Sequence, residues 1–201
     1  MPKTRKRSII KTIRKTDILA YLLRNIINIA NISNEDYAII AGYGLRNIRE
    51  VTDLDVAVSK NAYEKLKTLD FLIEGTSKIS NTPRLFIDLP FIEKDASIEF
   101  FELEKTGFPS DRYSLRNLQK NHDLILDKFQ NPYINLPIVI ELYSDVILKN
   151  NKLYAGEQYE IPVNRLDKNI SHLQTLLKNQ RYHHKIINKK LEYLTNLRRN
   201  L

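Results

Sequence analysis

The fold is decided by residues 39–56, which read Ile39-Ile-Ala-Gly-Tyr-Gly-Leu-Arg-Asn-Ile-Arg-Glu-Val-Thr-Asp-Leu-Asp-Val56. The apolar run Tyr37–Ala41 predicts a buried strand, because it is short, continuous and rich in isoleucine. Gly42 and Gly44 end that strand in a turn of small residues, and Leu45–Glu50 is expected to form a short helix. The stretch thus predicts a strand that turns tightly into a helix.

A second strand is expected over Asp53–Val58, where side chains alternate along the sequence. Its larger apolar residues face one way, whereas Asp53 and Asp55 face the other. Two carboxylates at this spacing on one strand face lie about 6.5–7 Å apart at their Cα atoms. Their oxygens can converge on one Mg²⁺ ion, which prefers a few carboxylates together with substrate phosphates.

The turn before this strand carries the complementary chemistry for phosphate. A turn of small residues that opens a helix presents backbone N–H groups, which suit a phosphate chain. Arg46 lies one turn into the predicted helix and can reach the same phosphates. A phosphate-binding turn beside metal-binding carboxylates predicts a site for a nucleoside triphosphate.

In these residues the chain resembles the nucleotidyltransferase superfamily typified by DNA polymerase β, and especially its small bacterial and viral members. The family pattern is a hydrophobic residue, Gly, and Gly or Ser, followed further on by Asp, a hydrophobic residue, and Asp or Glu. Here the pattern is Ile40-Ala41-Gly42 and then Asp53-Leu54-Asp55. Many members read Gly-Gly-Tyr-Ala-Leu-Arg where this chain reads Ala41-Gly42-Tyr43-Gly44-Leu45-Arg46, so Ala41 replaces the first glycine. The resemblance covers residues 37–103.

Members of this superfamily also bring a third carboxylate from a later strand. Glu99, in Ser97-Ile-Glu-Phe-Phe101, fits best, because its two neighbours are apolar and are expected to face a core. Asp88, in Leu85-Phe-Ile-Asp-Leu89, is the competing candidate, and the family more often has Asp than Glu at this point.

The resemblance implies a Mg²⁺-dependent transfer of a nucleoside monophosphate from a nucleoside triphosphate to a hydroxyl acceptor, with release of pyrophosphate. Asp53 and Asp55 would bridge two Mg²⁺ ions, and Glu99 would help to hold the ion that lowers the pKa of the acceptor hydroxyl. These three residues are the predicted catalytic residues and metal ligands. The predicted nucleotide-binding residues are Ala41, Gly42, Tyr43, Gly44 and Arg46.

The predicted fold class is α+β, in three regions. Residues 1–15 form a basic tail, residues 16–108 a nucleotidyltransferase-like domain with a mixed sheet and flanking helices, and residues 109–201 a helical C-terminal region. Periodicity predicts the remaining elements. The other helices are expected over Thr16–Ile32 (with Thr16 as N-cap), Asn61–Leu69, Leu115–Phe129, Leu136–Lys149 and about Asn164 to the end, and the other strands over Phe71–Ser77, Arg84–Leu89 and Ser97–Leu103.

The last predicted helix is long, basic and amphipathic. One heptad position is filled by Leu166, Leu173, Ile187 and Leu194. This spacing fits a helix that packs on its own domain, and it also fits self-association through residues 164–199. The opposite face carries a basic stripe of Lys178, Arg181, Lys185 and Lys189.

The net charge of +8 is unevenly distributed. Residues 1–15 carry seven Lys and Arg and no acid, and residues 164–201 carry nine and two acids, so the residues between are acidic. The basic ends favour RNA, DNA or another acidic acceptor as a partner besides the nucleoside triphosphate. Two alternatives stay open: a non-catalytic module of the same fold that binds a nucleotide or a partner, and a nucleic-acid-binding protein that uses the basic ends.

Other protein classes are disfavoured by composition. The chain has no cysteine, which excludes a disulfide framework, a thiolate zinc site and a cysteine nucleophile. No apolar run approaches the roughly 18 residues of a membrane span, so no membrane partner is expected. We expect an intracellular, cytoplasmic protein, and the basic run at residues 3–7 leaves a nuclear or virion location open.

Overall fold

The computed structural model describes residues 14–47, 49–77, 82–107, 110–142, 145, 163–178 and 184–200. In this part of the chain the protein is a mixed α+β structure with a seven-stranded mixed sheet, which confirms the predicted class. The strands are β1 (Tyr37–Ile40), β2 (Asp53–Val58), β3 (Ile73–Thr76), β4 (Pro83–Asp88), β5 (Ser97–Glu102), β6 (Leu124–Leu126) and β7 (Pro132–Ile134). Their order in the sheet is β3-β4-β5-β2-β1-β7-β6.

Six α-helices lie within the described residues. They are α1 (Lys15–Ile29), α2 (Lys60–Lys67), α3 (Leu115–Lys120), α4 (136–142), α5 (Val163–Leu177) and α6 (His184–Arg199). Two 3₁₀ helices, Ala41–Leu45 and Asp111–Tyr113, complete the described helices. None of the helices in these residues is long and apolar enough to cross a membrane.

One face of the sheet is covered by α1. The apolar residues of α1 recur at helical spacing, so Leu19, Leu23 and Ile27 point the same way and are fully buried. They pack with Leu54 and Val56 of β2 in the larger core cluster of the protein. The apolar positions of the alternating strand therefore face α1, and its carboxylates face the other side.

The pairing of β2 with β1 and β5 determines which residues lie beside Asp55. β2 runs antiparallel to β1 and parallel to β5, to which the chain returns through α2, β3 and β4. In both pairings Asp55 has a direct neighbour, Ile40 on β1 and Glu99 on β5. Neighbours across a ladder point to the same face of the sheet, so Ile40, Asp55 and Glu99 share one face.

A second core cluster lies on that same face, beside β1 and β7. Its fully buried members include Leu166 and Leu173 of α5 and Ile187 and Leu194 of α6. Ile40 packs against this cluster. The C-terminal helices therefore stand next to the face that carries Asp55.

The predicted helix Leu115–Phe129 is wrong beyond Lys120. α3 ends there, His122 takes a positive φ of 56°, and an antiparallel hairpin of β6 and β7 follows and joins the sheet. The apolar residues that suggested a helical stripe include Ile125 and Leu126, which are about half exposed on β6. The C-terminal region is thus helical only in part.

The predicted single helix from Asn164 onward is also wrong. α5 and α6 are separate helices, and Arg198 near the end of α6 donates to Asp167 near the start of α5 over 2.9 Å. A continuous helix would hold residues 31 positions apart about 46 Å from each other. The heptad residues are buried inside one chain, which confirms packing on the protein's own core. Self-association through 164–199 stays a prediction, and it would have to use other residues; Arg181 of the basic stripe lies outside the described part.

Two shorter predictions change at the start of the domain. α1 begins at Lys15 rather than after a Thr16 cap, because the Thr16 hydroxyl bonds instead to the backbone of Val51, at 3.1 Å to its carbonyl and 3.0 Å from its N–H. The short helix expected over Leu45–Glu50 lies earlier, as the 3₁₀ helix Ala41–Leu45. The predicted tail lies outside the described residues, apart from Arg14 and Lys15.

A buried carboxylate ties the hairpin to the rest of the fold. Asp127, in the turn between β6 and β7, accepts backbone N–H groups of Phe129 and Asn131 at 2.8 and 2.9 Å. It also accepts the hydroxyl of Tyr43 at 2.6 Å and the side-chain amide of Asn131 at 3.1 Å. Asn131 in turn accepts from Tyr37 of β1 and donates to the carbonyl of Ala20 in α1.

We predict that Asp127→Ala lowers the free energy of unfolding by about 3 kcal/mol, because it leaves several buried donors without an acceptor. Asp127→Asn keeps an oxygen for the two backbone N–H groups and should cost less. Asp95→Ala, at an exposed position, is the control and should change stability by no more than about 0.5 kcal/mol. Urea unfolding of the three variants measures this, and an equal loss in Asp127→Ala and Asp95→Ala would contradict it.

Candidate active site

The predicted carboxylates lie on neighbouring strands and on one face of the sheet. Asp53 and Asp55 are two residues apart on β2, and Glu99 of β5 is the ladder neighbour of Asp55. Adjacent strands are about 4.8 Å apart, so the Cα atoms of Asp55 and Glu99 are separated by about that distance. Asp53 is exposed, and Asp55 and Glu99 are half-buried. The three carboxylates therefore border one accessible patch.

The alternative third carboxylate, Asp88, lies further away. On β4 it is the ladder neighbour of Ser97, which is in turn the neighbour of Asp53. Two strand spacings, about 9.6 Å, thus separate the Cα atoms of Asp88 and Asp53. The register puts Glu99, and not Asp88, directly beside the acidic pair of β2.

Glu99 is held by an arginine. Arg84 of β4 forms an ion pair with one oxygen of Glu99, and Ser97 lies 3.5 Å from the other. The Arg84 guanidinium also lies over the ring of Phe86, 4.5 Å from its centroid. Among the described residues no three His, Asp or Glu side chains converge as a group that could hold a metal ion. The ion pair with Arg84 therefore occupies one oxygen of Glu99.

The turn before β2 contains an alanine in a backbone conformation that favours glycine. Ala41 has a φ of 55°, whereas Gly42 and Gly44 do not have positive φ. Left-handed backbone costs an L-residue roughly 1–2 kcal/mol, because Cβ approaches the following carbonyl oxygen. Ala41 occupies a position at which the family that this chain resembles has glycine. The left-handed turn therefore carries backbone strain in this chain.

Gly44 has a packing role in the same turn. A Cβ on Gly44 would lie 2.5 Å from Cγ2 of Val139 in α4 and 3.3 Å from the carbonyl oxygen of Ile134. Val139 is fully buried and has little room to move. The absence of a side chain at Gly44 therefore lets the turn pack closely against β7 and α4.

Tyr43 and Arg46 point toward the α1 side of the sheet. Burial, and then the hydrogen bond to Asp127, raise the pKa of Tyr43 well above its ordinary value, so its hydroxyl remains a donor. The Arg46 guanidinium packs against the rings of both Tyr43 and Tyr133, at 4.6 and 4.1 Å from their centroids. It donates to the Tyr133 hydroxyl at 2.9 Å. Arg46 is thus packed among rings of the α1-side cluster, while Asp55 faces the other side.

Sequence reasoning missed the supports of this turn. Asp127 lies within the predicted helix Leu115–Phe129, although the spacing Asp127–Asn131 followed by Pro132 is typical of a tight turn. The contact between Tyr133 and Arg46 carries no local signal, because the two residues are 87 positions apart. Phosphate binding by Ala41, Gly42, Tyr43, Gly44 and Arg46 stays a prediction.

We predict that Ala41→Gly raises the free energy of unfolding by about 0.5–1 kcal/mol. Relief of the left-handed strain exceeds the extra freedom that glycine gives the unfolded chain. Ala57→Gly, on β2, is the control and should lower stability by about 1–2 kcal/mol, because it gains the same freedom, relieves no strain and also loses a buried methyl group. Thermal and urea unfolding of both variants test this, and a loss of equal size at Ala41 would refute it.

Comparison of this chain with protein-family models, with curated proteins and with solved structures finds no match. What can be said of the site thus rests on its residues and on their placement: an acidic pair on β2, Glu99 beside it on β5, and a tight turn between β1 and β2.

Proposed function

We propose that this chain is a Mg²⁺-dependent nucleotidyltransferase, which moves a nucleoside monophosphate from a nucleoside triphosphate to a hydroxyl acceptor. The observation that carries the proposal is the register of β2 and β5, with Asp55 and Glu99 as direct neighbours and Asp53 on the same face. The order of elements around them, a strand, a tight turn, the acidic strand and a later parallel acidic strand, supports the same proposal.

The donor set fits Mg²⁺. All three side chains offer carboxylate oxygens, which this hard cation prefers, and Asp53 is exposed, so substrate phosphates and water can complete the coordination. Bound Mg²⁺ would neutralise charge on the triphosphate and lower the pKa of the acceptor hydroxyl. Asp53 and Asp55 would hold the metal, and Glu99 would join them after parting from Arg84.

The reaction requires little of the protein beyond position and charge. The acceptor oxygen attacks the α-phosphorus, the bond from that phosphorus to the oxygen bridging to the β-phosphorus breaks, and pyrophosphate leaves. The acceptor hydroxyl gives its proton to solvent water as the new bond forms, since the site is open to solvent at Asp53. Arg84, whose guanidinium lies at Glu99, is within reach of a phosphate held beside the carboxylates and would offset its charge.

A non-catalytic module of the same fold is the second candidate. Two observations favour it: Glu99 is paired with Arg84, and Ala41 occupies a glycine position in the turn. Such a module would bind a nucleoside triphosphate in a saturable way and release no pyrophosphate.

We predict that Asp55→Asn lowers the rate of Mg²⁺-dependent pyrophosphate release by about a thousand-fold, the scale expected for a group that stabilises charge in the transition state. Asp53→Asn and Glu99→Gln should also lose activity. Asp88→Asn is the matched control, since Asp88 is on the same face but two strands away from Asp53, and it should stay near the parent rate. Labelled nucleoside triphosphates with mixed RNA, DNA and small-molecule acceptors provide the assay.

Three results would distinguish the candidates. Full activity in folded Asp55→Asn would rule out the proposed chemistry. Saturable triphosphate binding without turnover in the parent protein would favour the non-catalytic module. Tight, salt-sensitive binding of RNA or DNA that is unchanged in Asp53→Asn and Asp55→Asn, with no pyrophosphate release by the parent protein, would favour a nucleic-acid-binding protein.

We predict that Arg84→Gln increases the affinity for divalent metal several-fold, because the guanidinium and the metal ion compete for Glu99. Titration with Mn²⁺, followed by water proton relaxation, measures this without requiring turnover. Lys67→Gln is the control. It also removes one positive charge, but from a surface ion pair between Lys67 of α2 and Glu74 of β3. Unchanged or weaker Mn²⁺ binding in Arg84→Gln would show that the ion pair does not restrict the carboxylates.

A further inference from the structure

A second polar site lies where α1 begins. A pocket of about 310 Å³ opens there between the N-terminal end of α1 and the segment that joins the 3₁₀ turn to β2. Its lining residues are Arg14, Thr16, Arg46, Asn47, Arg49 and Glu50. Thr16 holds the two walls together through its bonds to the backbone of Val51.

The charge of this pocket is unbalanced. Its lining contains three guanidinium groups and a single carboxylate, that of Glu50. This carboxylate accepts the backbone N–H of Lys15 at 3.2 Å. Within the described residues no salt bridge joins Arg14, Arg46 or Arg49 to a carboxylate. Grouping like charges is unfavourable unless an anion offsets them. The pocket therefore has the electrostatics of an anion site.

Two of the arginines have features that favour ligand binding. Arg46 is fixed by the rings of Tyr43 and Tyr133, so it loses little side-chain freedom on binding. The Nε of Arg49 is buried and makes no hydrogen bond within the described part of the chain. A buried donor without a partner is rare in proteins and calls for an acceptor.

We propose that this pocket binds a phosphate group, supplied by a free nucleotide or by the backbone of an oligonucleotide. Guanidinium groups match phosphate oxygens in geometry and charge, and the N-terminal end of α1 adds favourable potential. The pocket lies beside the start of α1, and neither Asp53 nor Asp55 lines it. It goes beyond the proposed function, because binding there requires neither metal nor these carboxylates.

The two sites are close along the chain. Glu50 of the pocket precedes Asp53 by three residues, and Val51, between them, is anchored to Thr16. Both sites therefore lie near the end of the sheet where β2 begins. A phosphate in the pocket would hold its nucleotide or oligonucleotide at this edge.

The test is a binding measurement without Mg²⁺, by calorimetry, on the full chain. The probes are inorganic pyrophosphate, ATP and a ten-residue oligouridylate, and binding of at least one is expected. Arg14→Gln and Arg49→Gln should each weaken that binding about tenfold or more. Arg116→Gln, at an exposed position on α3, and Asp55→Asn should leave it unchanged. ATP bound more tightly than the oligouridylate identifies a nucleotide site, and the reverse order identifies a nucleic-acid backbone site.

A spectroscopic measurement distinguishes an anion bound in this pocket from anions attracted non-specifically by the basic chain. Burial, with the nearby charges of Arg49 and Lys168, lowers the pKa of His172 to about 4. An anion on Arg49 should raise the pKa of His172, measured by NMR titration with and without pyrophosphate, and this rise should vanish in Arg49→Gln. Arg14 is exposed, so Arg14→Gln should fold even if Arg49→Gln does not. No binding of any probe, or equal weakening in Arg116→Gln, would overturn the proposal.

Discussion

The carboxylate of Asp127 is the interaction on which the other features of this fold depend. It is almost fully buried and accepts four hydrogen bonds, which join the β6–β7 turn to the 3₁₀ turn through Tyr43. Through Asn131 the same network reaches β1 and α1. A buried charge is stable only when its lone pairs are satisfied, so these elements can move apart only at a large cost. Tyr43 then gives Arg46 one of the rings that fix it.

The sequence predicts the five strands β1 to β5 but neither the β6–β7 hairpin nor the pairing between strands. Alternation over Asp53–Val58 gives the exact bounds of β2, because one face is apolar and the other acidic. The hairpin over 124–134 was missed, since its strands are three residues long and too short for a periodic signal. The division into α5 and α6 was missed for a different reason: a heptad pattern is the same for one long helix and for two helices that pack on each other.

The same distinction applies to the candidate site: the features that local sequence fixes were predicted, and those that depend on packing were not. Local pattern was enough to place Asp53 and Asp55 on one face, because strand geometry alone fixes that. The choice between Glu99 and Asp88 required the register between β2, β5 and β4, which depends on packing across the sheet. The ion pair of Arg84 with Glu99 and the strain at Ala41 also arise from three-dimensional context, so no local sequence signal could reveal them.

The fold shows where the charges of the chain lie, and this changes how the net charge is interpreted. The acidic middle concentrates carboxylates on one face near the start of β2, and the three arginines of the pocket beside α1 lie near the same end of the sheet. Each group is unfavourable by itself, because like charges repel, and each would be relieved by a ligand of opposite sign. A metal nucleotide carries both signs, cation and phosphate, and so does a metal ion that meets an oligonucleotide. The net charge of +8 therefore says less about the partner than the presence of two groups of opposite charge near one end of the sheet.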